Sequence, residues 1–224
     1  MRFAKAVLSA AALTSALGAA TAPARAELWH RETLSGLRAV SLAYDAAVCG
    51  VWVADEGPEI KLLNTFGEEL RRFDSGMRSV RSLTVEEGGL LLTNGWGGFR
   101  RVARDGRPIG TRFTLAETLV DTEGLHRDAD GSFLVVEDDP ARLLRIAPDG
   151  RVLTELRGEL FDPPMIEPQG VSRDPYSGNI LVVDDNEGLN ALFELAPDGR
   201  VVSVAPRSEW GRDAEGVALQ PETG

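Results

Sequence analysis

Asp121-Thr122-Glu123-Gly124-Leu125 returns downstream as Glu167-Pro168-Gln169-Gly170-Val171 and again as Asp213-Ala214-Glu215-Gly216-Val217. The glycines of the three copies stand 46 residues apart each time. Looser copies lie upstream around Ser41 (Val40-Ser41-Leu42) and Ser82 (Arg81-Ser82-Leu83), at steps of 41 and 42 residues. A period in the forties, with each unit made of short apolar runs, is the mark of propeller blades, small antiparallel sheets arranged in a ring.

Working outward from Gly124, the third unit reads as four strands. Residues 123–127 form the first, and Asp128-Ala129-Asp130-Gly131 is a turn of residues that tolerate tight backbone geometry. Residues 133–136 are wholly apolar, as suits a strand inside a sheet. Pro140 ends that run, because proline cannot donate to a ladder. Residues 143–146 and 152–156 follow, separated by Ala147-Pro148-Asp149-Gly150. The fourth unit repeats each step, with strands at 170–173, 180–183, 191–195 and 201–204. Turn signals every 8 to 12 residues between apolar runs point to an all-β fold. The expected architecture is a β-propeller with four complete four-stranded blades and an incomplete fifth. The repeats lie near 36–76, 77–117, 121–160, 167–206 and 213–224. On this count the sequence is either a truncated copy of a longer ring or an open ring, which closes only if neighbouring blades widen or another chain completes the gap. An open edge predicts self-association as a dimer or aggregate.

The first residues read as a targeting segment rather than as part of the fold. Arg2 and Lys5 precede an Ala/Leu-rich stretch, and Ala24-Arg25-Ala26 forms an A-x-A cleavage site. Residues 1–26 are therefore expected to be a signal peptide and 27–224 a single propeller domain, periplasmic or secreted. The apolar run is short for a membrane span, so no membrane insertion is expected. The net charge of −11 argues against nucleic acid, whose binding depends on Lys and Arg neutralising phosphates. Cys49 is the single cysteine, so no internal disulfide forms, and it reads as a buried small residue of a hairpin.

In an up-and-down blade, the entry to the inner strand and the link from second to third strand share one face. The spacing from Ser41, Gly124 and Gly170 to Asp55, Asp138 and Asp184 is 14 residues, and from Ser82 to Asn94 it is 12. Both sets should converge on one mouth. Around the channel, the residue before each small motif residue runs Val40, Arg81, Glu123, Gln169, Glu215. Glu123, Gln169 and Glu215 form a ring of hard oxygen donors, which suits calcium better than the tighter octahedron of magnesium. The two histidines, His30 and His126, offer no zinc site. The plain alternative is that these acids cap turns, that the glycines serve close blade packing, and that Arg81 neutralises Glu123. The Asp-Gly turns of the opposite face are ordinary hairpin chemistry. Trp29, Trp52 and Trp210 read as packing, whereas Trp96 sits in the flexible run Asn94-Gly95-Trp96-Gly97-Gly98 on the acidic face.

The D-x-E-G-(L/V) strand openings, the D-G and P-x-S-G-N turns and the strands ending in E-D-D or D-D resemble the phytase-like propellers ("esterase-like activity of phytase"). They are also similar to the gluconolactonase and NHL-type propellers. The likeness covers most of residues 35–224 and is best from Asp121 onward, while Val40 and Arg81 depart from the ligand pattern. The resemblance implies calcium held by Glu123, Gln169 and Glu215, and hydrolysis of an ester, lactone or phosphoester. Asp138 or Asp184 is then the candidate base, with Arg81, Asn94 and Trp96 as substrate contacts. The competing reading is a non-catalytic propeller that binds a small molecule or protein at the same mouth.

Overall fold

The computed structural model describes residues 6–8, 32–34, 36–110, 115, 119–185, 187–206 and 213–220. Strands β1 (Ala6–Leu8) and β2 (Glu32–Leu34) pair antiparallel. The first blade follows as β3 (Ala39–Asp45), β4 (Gly50–Asp55), β5 (Glu59–Asn64) and β6 (Glu69–Asp74). The second comprises β7 (Ser82–Glu86), β8 (Gly89–Thr93) and β9 (Phe99–Ala103). The third holds β10 (Thr122–Arg127), β11 (Phe133–Asp138), β12 (Ala141–Ile146) and β13 (Val152–Arg157). The fourth holds β14 (Pro168–Arg173), β15 (Ile180–Asp184), β16 (Ala191–Leu195) and β17 (Val201–Pro206).

Each blade is an antiparallel meander in sequence order. The second shows three strands plus a bridge from Val102 to Pro108 at its outer edge. Residues 111–114 and 116–118, which follow it, lie outside the described residues. The four sheets form a ring of blades, the expected β-propeller, with no α-helix among the described residues. None of these residues forms a helix long and apolar enough to cross a membrane.

Alternation along the second strands explains the packing. Trp52 and Ala54 of β4 meet Leu83, Leu90 and Leu92 of the second blade, while Val51 and Val53 face the other way. Ile180 and Val182 of β15 meet Leu134, Val136 and Leu143 of the third blade. Both faces of the second strands β4, β8, β11 and β15 are buried, which is why these strands read as near-continuous apolar runs. Burying one such side chain contributes about 1.5–3 kcal/mol.

The motif glycines sit where inner strands nearly touch. A Cβ on Gly124 would meet the Gln169 carbonyl oxygen at 2.5 Å, and one on Gly170 would meet Gly216 Cα at 2.6 Å. On Gly216 it would lie 3.1 Å from the Leu42 nitrogen and 3.2 Å from Ser41 Cα. In the first two blades serines take this place: Ser41 Oγ lies 3.1 Å from Ser82 Oγ and accepts from the Leu83 N–H at 3.2 Å. The innermost layer therefore runs β3, β7, β10, β14, residues 213–220 and back to β3. Residues 213–220 fill the fifth inner position without forming a strand. Of the alternatives the blade count leaves, the contacts at Gly170 and Gly216 favour a ring whose inner layer closes within one chain.

Cys49 departs from expectation. It is exposed, with φ at +49°, and closes the β3–β4 turn rather than packing in a hairpin core.

Candidate functional site

A β-bulge interrupts the inner strand of blades one, three and four, between Ala39 and Ser41, Thr122 and Gly124, and Pro168 and Val171. The extra residue of a bulge is released from the ladder and its side chain re-aimed. Val40, Glu123 and Gln169 occupy these bulges. Arg81 stands in the matching place of the second blade, its N–H bonded to the Thr93 carbonyl at 2.8 Å, beside Ser82, which pairs with the same Thr93. Arg81, Glu123 and Gln169 of successive blades meet at the channel mouth, whereas Val40 packs against the core between the first two blades.

At this mouth Asp121, Glu123 and Asp138 bring carboxylate oxygens within 4.8 Å of one another. Arg81 Nε pairs with Glu123 Oε2. The other oxygen, Glu123 Oε1, is buried without a hydrogen-bond partner, and so are Asp138 Oδ1 and Gln169 Oε1. Gln169 Nε2 lies 3.5 Å from Asp138 Oδ2. A buried acceptor left unpaired costs about 1–3 kcal/mol, more when charged. Three of them at one mouth form an arrangement that a bound cation would satisfy.

The electrostatics follow from burial and crowding. Burial pushes the Glu123 carboxyl up to about 7, against the pull of Arg81. Glu215 is likewise raised to about 7 by burial, with Arg81 lowering it and Asp213, Asp185 and Asp138 raising it. Asp121 is raised by burial and then by the charge and hydrogen bond of Asp138. Asp185 and Glu167, at the same end of the fourth blade, are both raised, first by burial. Arg81 is the one cation that appears among these interactions.

Asp184 does not join the group. It is fully buried, its Oδ1 accepting from the Ile166 and Glu167 N–H groups at 2.9 and 2.7 Å and its Oδ2 from the Leu189 N–H. Glu137 does the same in the third blade, accepting from Val120 and Asp121 at 2.7 and 3.0 Å, and Asp55 accepts from Arg38 at 2.7 Å in the first. These three acids clamp the loop that enters each inner strand. The register confirms their equivalence, since Ala39 pairs with Asp55, Thr122 with Glu137 and Pro168 with Asp184. The constant spacing of 14 aligned Asp138 with Asp184, whereas the ladder places Asp138 one residue beyond the clamp. A one-residue slip changes which way a side chain points.

The substrate contacts divide similarly. Asn94 Oδ1 accepts from Trp96 and Gly98 N–H at 3.0 and 2.9 Å, so it shapes its loop. That loop borders the site, because Gly95 accepts from the Thr122 N–H at 2.8 Å and lies over the Arg81 stem. Trp96 projects from it, 73% exposed. Asn186, Trp29, Trp210 and His30 lie outside the described residues. Trp52 is buried between blades and donates to Asp45 at 3.0 Å, as packing requires. On the opposite face, Asp149 and Asp198 each accept from the N–H two residues on at 3.1 Å, the local turn bond expected of them. The sequence reading left out Asp121, although it opens the motif; an acid two residues before a bulged acid was the available signal.

No family model matches the chain, and no curated protein matches it. Solved structures do. Glutaminyl cyclase of Myxococcus xanthus superposes with a TM-score of 0.63 at 14% identity, over 84% of this chain and 83% of that one. A chain of the nidogen/laminin complex gives 0.59 at 20% identity, over 87% and 73%. A protein of unknown function from Bacteroides caccae gives 0.51 at 17%, over 86% and 67%. The class these likenesses define is the β-propeller, which serves an enzyme in the first case and a protein complex in the second. At such identities they establish the fold alone. The resemblance to the phytase-like group rests on the motifs quoted above.

Proposed function

We propose that the protein is an exported propeller that binds calcium at the acidic channel mouth. The observation that carries this reading is the set of buried, unpartnered oxygens on Glu123, Asp138 and Gln169. Asp121 lies within 4.8 Å of two of these carboxylates, and Glu215 is close enough to feel Arg81 and Asp138. An all-oxygen donor set of mixed carboxylate and amide character suits calcium, which accepts irregular coordination, and does not suit zinc. Export supports the choice of ion, since extracellular modules work at roughly 10⁻⁴–10⁻³ M calcium.

The mouth also supports a hydrolytic reading for ester, lactone or phosphoester bonds. A bound calcium ion would polarise a substrate oxygen. Arg81, its side chain 46% exposed, presents a guanidinium to an anionic substrate group, and the Glu215 carboxyl, raised to about 7, is poised to hold or release a proton. Asp184 drops out as base because both its oxygens are committed to backbone N–H groups. The glutaminyl cyclase likeness is compatible with catalysis on this fold, and the nidogen likeness with plain binding.

Thermal unfolding with calcium, magnesium, zinc or EDTA tests the ion. Calcium at 100-fold excess over its dissociation constant should add about 2.7 kcal/mol of stability. A midpoint indifferent to calcium and EDTA alike would sink the proposal. Hydrolysis of a nitrophenyl ester, a lactone and a nitrophenyl phosphate, with and without calcium, separates the catalytic reading from the binding one.

A further inference from the structure

The other end of the channel is chemically unlike the first. There the last residues of β3, β7, β10 and β14 surround a cavity of about 440 Å³ with Leu219 beside them. Its walls are largely apolar, from Leu42, Val85, Leu125 and Val171, and Tyr44, His126, Arg127 and Arg173 add polar groups. The volume falls within the roughly 300–1,000 Å³ usual for small-molecule sites.

The charged groups lining it balance in number, two arginines against two aspartates, but they are not equally engaged. Asp128 is occupied by Arg173, whose Nε and Nη2 donate to it at 2.6 and 3.1 Å, while Arg173 Nη1 donates to the Gly178 carbonyl at 2.6 Å. Asp174 accepts from the Tyr176 N–H at 2.9 Å and the Ser177 hydroxyl at 2.5 Å. Arg127 is different. Its Nε is buried with no hydrogen-bond partner. The carboxylate facing it, Glu86, lies 3.6 Å away and is already gripped by Arg101 at 2.6 and 3.1 Å. A buried guanidinium nitrogen without an acceptor calls for an anion. His126 stays uncharged at neutral pH, burial having pushed its imidazole down to about 4.

We infer that this second mouth is a binding site for a small carboxylate with an apolar body, its carboxylate on Arg127 and its body against Leu42, Val85 and Val171. Glu123 and Arg127 belong to the same strand, so the site lies about 13 Å along β10 from the acidic mouth and is independent of it.

Benzoate is the probe, benzamide its uncharged counterpart, and the His126 ring resonance the reporter, with His30→Gln removing the second imidazole. Benzoate should shift the signal saturably. Benzamide, and benzoate on Arg127→Gln, should bind at least tenfold more weakly, and Glu123→Gln should leave benzoate binding unchanged. No saturable shift, or equal affinity for benzoate and benzamide, would overturn the inference. The benzamide comparison holds even where Arg127→Gln fails to fold. Loss of benzoate binding in Glu123→Gln would overturn the independence of the two mouths.

Discussion

Glu123 has two oxygens with different fates: Oε2 is held by Arg81, and Oε1 faces the mouth without a partner. Glu123→Gln should therefore remove most of the calcium-induced rise in thermal midpoint, and Asp149→Asn, on the far face, should leave it intact. Equal effects from both would place the ion elsewhere. The same residue sets a pH dependence. Burial raises Glu123 and Glu215 from an ordinary 4.5 to about 7, so the folded chain holds their protons more tightly than the unfolded one. Their contribution to stability is complete below pH 4.5 and fades as pH climbs to 7 and beyond. Metal-free protein should lose stability from these groups between pH 5 and pH 8. Calcium must displace the same protons, so its stabilising shift should be larger at pH 8 than at pH 5. Differential scanning fluorimetry across that range checks both signs, and a calcium shift that shrinks with rising pH would contradict the assigned donors.

At the scale of the strand, acids of similar sequence position do different work. Asp184 holds three backbone N–H groups, and Asp138 leaves Oδ1 unpaired beside two other carboxylates. Asp184→Asn sets an amide against donors and should destabilise the fold by about 1–3 kcal/mol without calcium. Asp138→Asn relieves like-charge crowding, so it should leave metal-free stability equal or higher while weakening calcium binding. Urea titrations of both variants distinguish the roles. Gly124→Ala should cost about 1–3 kcal/mol by overpacking, because its Cβ would meet the Gln169 carbonyl at 2.5 Å. The strand order and the blade repeat were legible in the sequence because period and turn chemistry leave local marks. The split between Asp138 and Asp184 was not. A constant spacing does not reveal that the turn between the third blade's first two strands, residues 128–132, is one residue shorter than its counterpart at 174–179, and the pairing of Thr122 with Glu137 exposes the slip. The engagement of Asn94 by its own loop was hidden for a related reason, since an Asx turn and a ligand-binding amide look alike in one dimension.

For the whole molecule, the question is what the blade flanks on either side of residues 213–220 leave exposed. The flanking faces belong to β4 of the first blade and β15 of the fourth. By alternation the side chains turned towards the gap are Val51 and Val53 on one flank and Leu181 and Val183 on the other. All four are buried, at 3%, 0%, 6% and 2% exposure, within a single chain. Among the described residues these two flanks offer no open apolar side chain for a second copy to cover, and the inner layer is already joined where Gly170 meets Gly216 and Gly216 meets Ser41. The chain should therefore sediment as a monomer. The joint depends on two glycines in near contact, so a wedge there should reverse the result. Gly170→Val pushes residues 213–220 off β14, parts the inner layer and uncovers apolar strands, whose free edges recruit another chain. Sedimentation velocity should show the variant as a dimer or larger. A wild-type dimer at micromolar concentration, or a monomeric Gly170→Val that unfolds at the wild-type midpoint, would show that residues 213–220 are not what closes the ring.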